Sequence, residues 1–288
     1  MIMLIFSVFI FIVGAIFGSF FNVLIDRLPN NENPFKGRSH CDFCKKKLAW
    51  FDLIPVVSFV WLRGRCRYCH KKLSWQYPIV EIITGVLFVL LALYIFNPQT
   101  SSWLVQDLTS DSGLCQNDVS VICDHSIKLF LQYLSLLIIF SSFLVIFVAD
   151  LKYQIIPDEL VVSAGVGALL YQLILHADNL PQLGYALLAG IGASLFFYLI
   201  YFLTKGKGIG FGDVKLVFSL GLFLGVAGVV VGLYVAFLTG AAVSSILVLS
   251  QRKRWKTRIA FAPFLLVGAT VSFFFGQQLI NWYAAFFS

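Results

Sequence analysis

Residues 129–149 read Leu129-Phe-Leu-Gln-Tyr-Leu-Ser-Leu-Leu-Ile-Ile-Phe-Ser-Ser-Phe-Leu-Val-Ile-Phe-Val-Ala149, with no charge until Asp150. A helix needs about 20 apolar residues to cross a bilayer core. Similar apolar runs occupy 2–25, 79–96, 128–149, 159–176, 183–203, 214–226, 227–250 and 261–284. The whole chain agrees. Of 288 residues, 59% are hydrophobic and 12% charged, against about 25% charged in a soluble domain. This composition excludes a soluble enzyme, a disordered chain, a coiled coil and a disulfide-rich secreted domain. The expected fold is an all-α polytopic membrane protein of about eight transmembrane helices. The run 214–226 is short for a full crossing, so a re-entrant half-helix stays open there. Gly225 and Gly228 are placed to supply a tight turn. No repeat of 20–50 residues is evident.

The 21 basic residues fix the orientation. Eleven lie between Arg27 and Lys72, five between Arg252 and Arg258, and three between Lys205 and Lys215. The segment Asn97–Ile127 has none, but carries Asp107, Asp111, Asp118 and Asp124. The positive-inside rule puts 26–78, 204–213 and 251–258 in the cytoplasm and 97–127 outside. The net charge of +7 then records topology and favours anionic lipid at the cytoplasmic face. Nucleic-acid binding is not expected, because the basic residues sit in loops pinned to a membrane. The first run lacks a basic n-region and a small-residue cleavage site, and reads as a retained helix. The chain divides into a first helix (1–25), a cytoplasmic domain (26–78), a second helix with an outer loop (79–127) and a membrane domain (128–288).

The cytoplasmic segment is too short to build a normal core and needs a staple. Cys41-Asp-Phe-Cys44 and Cys66-Arg-Tyr-Cys69 supply one. Two CxxC pairs bring four thiolates to a tetrahedral Zn²⁺ site, and reducing conditions favour metal over disulfide. A closed Cys₄ site leaves no open position, so the zinc reads as structural. His40 and His70 adjoin cysteines and stand as alternative ligands or as plain loop histidines. Cys115 and Cys123 fall in the outer loop, where a disulfide is expected.

Four acids border the spans. Asp158, Asp213 and Glu81 each open an apolar run, where a carboxylate suits the helix dipole or caps the helix. Asp150 closes one, where the dipole disfavours it. The topology sets Asp150 and Asp213 at one face on different helices. Two close carboxylates share one proton, so one can activate water while the other polarises a carbonyl. The glycines of Gly210-Phe-Gly-Asp213 leave room for a peptide backbone. Ser141, Ser142 and Ser194 have no His nearby in sequence and read as packing hydroxyls. The competing reading from another class is a zinc-stapled transporter or scaffold with ion-binding acids.

Taken together, these residues resemble the type IV prepilin peptidase family. The similarity runs through Gly14-Ala-Ile-Phe-Gly-Ser19-Phe-Phe-Asn22-Val-Leu-Ile-Asp-Arg27-Leu-Pro29 and both CxxC pairs. It continues through Tyr77-Pro-Ile-Val-Glu81-Ile-Ile-Thr-Gly85, Asp150 to Asp158, and Gly208 to Lys215. Ile259-Ala-Phe-Ala-Pro263-Phe resembles the family's I-P-F-G-P-F with Ala260 and Ala262 in place of Pro and Gly. The resemblance implies a GxGD aspartyl protease with Asp150 and Asp213 catalytic; Asp158 matches a recurrent family position and reads as a support beside the pair or as a helix start. Many members carry a second acid two residues after the first, where this chain has Lys152. It also implies cleavage of a basic leader after Gly from type IV prepilins or type II secretion pseudopilins, at the cytoplasmic face of a bacterial inner membrane. N-methylation with S-adenosylmethionine would follow, associated with the four-cysteine domain. Another GxGD protease of a different membrane substrate is the alternative, against which the Cys₄ domain argues.

Overall fold

A computed structural model describes residues 2–41, 43–96, 119–177, 179–206, 208–249 and 260–287. The described residues are nearly all helical and include no strand, only the isolated bridges His40–Lys47 and Arg65–Lys72. The helices are α1 (Ile2–Arg27), α2 (Val57–Trp61), α3 (Gln76–Phe96), α4 (Val119–Tyr153), α5 (Asp158–Leu175), α6 (Leu180–Leu203), α7 (Phe211–Leu249) and α8 (Ala262–Phe287). All but α2 are long and apolar enough to cross a membrane. Cys115 and the basic cluster 252–258 lie outside the described residues, as does most of the acidic loop. The chain forms two compact units, Met1–Leu137 and Ile138–Ser288.

In the first unit α1 and α3 pack closely because glycines remove side chains at the contact. A methyl group on Gly18 would lie 2.7 Å from Glu81 Cα, and one on Gly14 would lie 2.9 Å from Gly85 Cα. Small residues let membrane helices approach this way. Phe17 and Phe88 pack with tilted rings beside the contact, their centroids 5.8 Å apart. At the end of α1 the Arg27 guanidinium donates to the carbonyls of Asn33, Pro34 and Lys36.

Between α1 and α3 the chain repeats itself. Cys41 N–H donates to Lys46 O and Leu48 N–H to Ser39 O. The same two bonds recur from Cys66 to Lys71 O and from Leu73 to Gly64 O. Lys45 and His70, each next after the second cysteine of its pair, take left-handed φ of 55° and 56°. A ten-residue unit thus occurs twice, offset by 25 positions (66 − 41), although the sequence reading found no repeat. Its signature, Cys-x-aromatic-Cys-x-Lys-Lys-Leu, is too short to register as self-similarity.

The second unit holds the broken helix that the short run 214–226 foreshadowed. Gly225 has φ 69° and ψ −175°, which interrupts α7. Neighbours show that the chain reverses there. Along the limb 226–249, Gly228 meets Ser272, Gly232 meets Gly268 and Gly240 meets Phe264. The limb therefore runs antiparallel to α8. In the limb 211–224, Phe223 stacks on Phe273 at 5.1 Å, while Asp213 lies near Asp150, which is bonded to Ala262. That limb runs parallel to α8. Seven long helices thus give eight membrane limbs. The limb 211–224 rises only about 21 Å, so the break falls inside the apolar layer.

A break there strands backbone carbonyls where no water can reach them. Buried Gln172 on α5 answers this by donating Nε2–H to Leu222 O at 3.1 Å and to Phe223 O at 3.0 Å. Phe140, Phe143, Tyr171 and Phe273 surround Phe223 and close the site. Gln172→Leu keeps the volume and abandons both carbonyls, at an expected cost of about 1–3 kcal/mol. Thermal unfolding in detergent should show a clear fall in midpoint for this variant, and much less for Leu173→Ala on the exposed side of the same helix.

Candidate functional site

Asp150 occupies the last turn of α4. The helix stops four residues later, where Gln154 takes φ 55° and donates its N–H to Asp150 O at 3.0 Å. Ile155, Ile156 and Pro157 then lead into α5. Asp150 is 5% exposed. Its carboxylate accepts the backbone N–H of Ala262, the first residue of α8. Oδ2 is buried and has no hydrogen-bond partner. A carboxylate is unfavourable at its own helix C-terminus, but here it serves the free N–H of another helix N-terminus. Ala262 was left without a role by sequence reasoning. The only available signal was Pro263, which favours a helix start at that point.

Asp213 is the third residue of α7. Its Oδ2 accepts the Gly210 N–H at 3.1 Å, the acid's half of a capping box. It is 7% exposed. Both glycines of the motif have a reason in the packing. A methyl on Gly210 would lie 3.3 Å from Asp213 Oδ2, and one on Gly212 would lie 3.1 Å from Ile156 Cβ. The segment before α5 therefore packs against the first turn of α7, which carries Asp213. The charge of Asp150 acts on Asp213 directly. Two buried carboxylates from different helices thus lie within electrostatic reach of one another, one of them with an unused oxygen.

The other acids stand apart from this pair. Asp158 opens α5 and receives Lys215 Nζ at 2.8 and 2.9 Å on its two oxygens. The bridge is exposed and joins the first turns of α5 and α7. Glu81 belongs to the first unit. It lies beyond the first turn of α3, so it does not cap the helix as the sequence suggested. Its Oε2 accepts Val56 N–H at 2.7 Å and its carboxylate also bonds Ser19. Ser142 bonds Ile138 O and Ser163, and Ser194 bonds Val214 O.

The four cysteines of the first unit converge. Cys41, Cys44, Cys66 and Cys69 place their sulfurs within 4.8 Å of one another, with Cys41 and Cys69 at 3.9 Å. A tetrahedral ion with Zn–S bonds of about 2.3 Å sets sulfurs about 3.8 Å apart, so the four residues fit zinc. None of the four is in a disulfide. Burial pushes the Cys41 thiol up to about 11. Burial acts on Cys66 in the same direction, but the N–H groups of Cys69 and Tyr68 and neighbouring thiols bring it down to about 7. Two lysines sit on the repeat's aromatic rings in reciprocal fashion. Lys46 Nζ is 5.3 Å from the Tyr68 ring centre, and Lys71 Nζ is 4.9 Å from that of Phe43. Each unit thus lays its lysine on the other unit's ring. His40 and His70 are not in the cluster.

Comparison with known proteins matches both parts of the chain. Residues 12–95 match the bacterial peptidase A24 N-terminal domain, and residues 137–245 match the type IV leader peptidase family. A Klebsiella pneumoniae prepilin leader peptidase/N-methyltransferase is 31% identical over 75% of this chain and 84% of its own length. A Legionella pneumophila protein of the same name is 30% identical over 88% of this chain and 78% of its own. One from Bacillus subtilis is 26% identical over 95% and 96%. No solved structure matches the chain.

The pairing of the two cysteine units makes the metal a joint property. Cys41→Ser and Cys66→Ser should each reduce the metal bound per chain to a small fraction of the parent's, measured by elemental analysis of the purified protein. Lys46→Met should lower zinc retention against a chelator by a few-fold, as expected for about 0.5–1 kcal/mol of cation–π contact.

Proposed function

This chain belongs to the type IV leader peptidase family, and on that premise we propose that Asp150 and Asp213 are the catalytic pair of a prepilin leader peptidase. The observation that carries this reading is the pair itself: two buried carboxylates on separate helices, within electrostatic reach, one with an unpartnered oxygen. One carboxyl holds a proton and the other is ionised. The ionised group takes a proton from water, and the resulting hydroxide adds to the scissile carbonyl. The protonated group hydrogen-bonds to the oxygen that gains charge. Collapse of the tetrahedral intermediate expels the new amine, which receives the proton that the base took. Ala262 N–H and Gly210 N–H hold the two carboxylates in register.

The substrates are type IV prepilins or pseudopilins, cut after Gly at the cytoplasmic face of the inner membrane. A prepilin carries a basic leader ahead of an apolar helix, so its cleavage site lies at the interface. Asp150 and Asp213 stand at ends of apolar helices, as such a site requires. The new N-terminus is then methylated with S-adenosylmethionine as donor. We assign residues 26–78 to this second activity and 128–288 to proteolysis. Cys41, Cys44, Cys66 and Cys69 would hold the zinc, which when bound crosslinks the two cysteine units.

Mass spectrometry of a prepilin incubated with the purified full chain tests both activities. The expected products are the mature pilin without its leader and, only when the donor is present, the same pilin heavier by one methyl group. Asp213→Asn should cut the cleavage rate by at least about 10³-fold at unchanged zinc content. Cleavage by that variant at the parent rate would contradict the assignment.

A further inference from the structure

The segment Trp50-Phe-Asp-Leu-Ile-Pro-Val-Val-Ser-Phe-Val-Trp61 joins the two cysteine units and has no use in the chemistry above. We propose that it is a tongue inserted into the lipid leaflet at the end of α1 and α3 that carries the metal domain.

Four observations converge on lipid. The first is composition. Asp52 is the one charged residue between Trp50 and Trp61, and it is turned inward. Its side chain is 3% exposed, pairs with Arg67 at 2.7 Å and caps Ala49 N–H. The outward face of the tongue therefore carries no charge.

The second is the inverted packing of α2. Phe59 points inward against Trp75, with ring centroids 5.1 Å apart. Val57, Val60 and Trp61 share the opposite face at helical spacing and are 58%, 67% and 81% exposed. Trp50 is 75% exposed at the other end of the tongue. Both faces of this short helix are apolar, and only one is covered.

The third is depth. Buried Glu81 accepts the N–H of Val56 at the middle of the tongue. Glu81 lies five residues into α3, about 7–8 Å along its axis from the start of the span. The tongue is thereby held level with the first turns of a membrane helix rather than beyond its end. The bond fixes a tight turn: Val56 takes φ 60° and Val57 N–H closes on Pro55 O. That conformation is strained for a β-branched residue. A buried carboxylate supplies the partner that water cannot supply at that depth.

The fourth is the flanks. Lys45, Lys46 and Lys47 precede the tongue, and Arg63, Arg65 and Arg67 follow it. Apolar residues bounded by tryptophans and then by cations are the pattern of a segment lying in a membrane interface. Anionic headgroups complement the flanks.

Tryptophan quenching in the full chain, reconstituted in nanodiscs containing anionic lipid, tests this. The Trp61 signal is taken as the difference between the parent and Trp61→Phe. Lipid brominated high on its acyl chains should reduce that difference about twofold or more, as for a ring at the acyl boundary, and aqueous acrylamide should leave it nearly unchanged. Val60→Asp should lessen the bromolipid effect at unchanged zinc content. Quenching by acrylamide alone would place Trp61 in water and overturn the proposal. Protection from both quenchers would mean that protein covers the face, and would overturn it equally. Trp50→Phe supplies the same difference independently if Trp61→Phe loses its zinc.

Discussion

In a bilayer, every backbone group released from a helix must find a partner inside the protein. Four buried polar side chains of this chain serve that constraint. At the Gly225 break the partner is Gln172, which takes the carbonyls of Leu222 and Phe223. At the start of α8 it is Asp150, which takes the Ala262 N–H. At the start of α7 it is Asp213, which takes the Gly210 N–H. In the first unit it is Glu81, which takes the Val56 N–H. Each of these four side chains bonds the backbone where a helix begins or breaks. The acids are thus fixed by backbone amides, and their positions follow from the helix ends.

This shared structural duty separates the acids by their neighbours rather than by burial. Glu81 bonds Ser19 as well as Val56. Asp158 is bridged to Lys215 in the open. Asp150 and Asp213 have in common that each lies within electrostatic reach of another carboxylate, and Asp150 keeps an oxygen unbonded. A hydrolytic pair needs this: acids held rigidly by amides, with capacity left over for water and substrate.

Much of this was legible in the chain. The apolar runs gave the membrane limbs, including the reversal near Gly225, because a run too short to cross was followed at once by another. The CxxC spacing gave the cysteine cluster, since each pair closes its own hairpin. Asp150 was marked by sitting at the wrong end of a helix for a carboxylate. The backbone partners were not legible. Ala262 acts through its N–H, and any residue but proline offers one. Glu81 looked like a cap because the start of α3 was placed three residues late, and its true partner, Val56, is 25 positions away (81 − 56). The cysteine repeat also escaped notice. Its identity rests on a few positions, while the reciprocal Lys46–Tyr68 and Lys71–Phe43 contacts arise only after folding.

The central claim is that Asp150 and Asp213 act as one catalytic unit. The most direct measurement is the residual rate of prepilin cleavage by Asp150→Asn, by Asp213→Asn and by the two changes together. If the carboxylates work on one water and one carbonyl, the double variant should be no slower than the slower single variant, since either loss already removes the pair. Losses that multiply in the double variant would show two independent contributions and contradict the account.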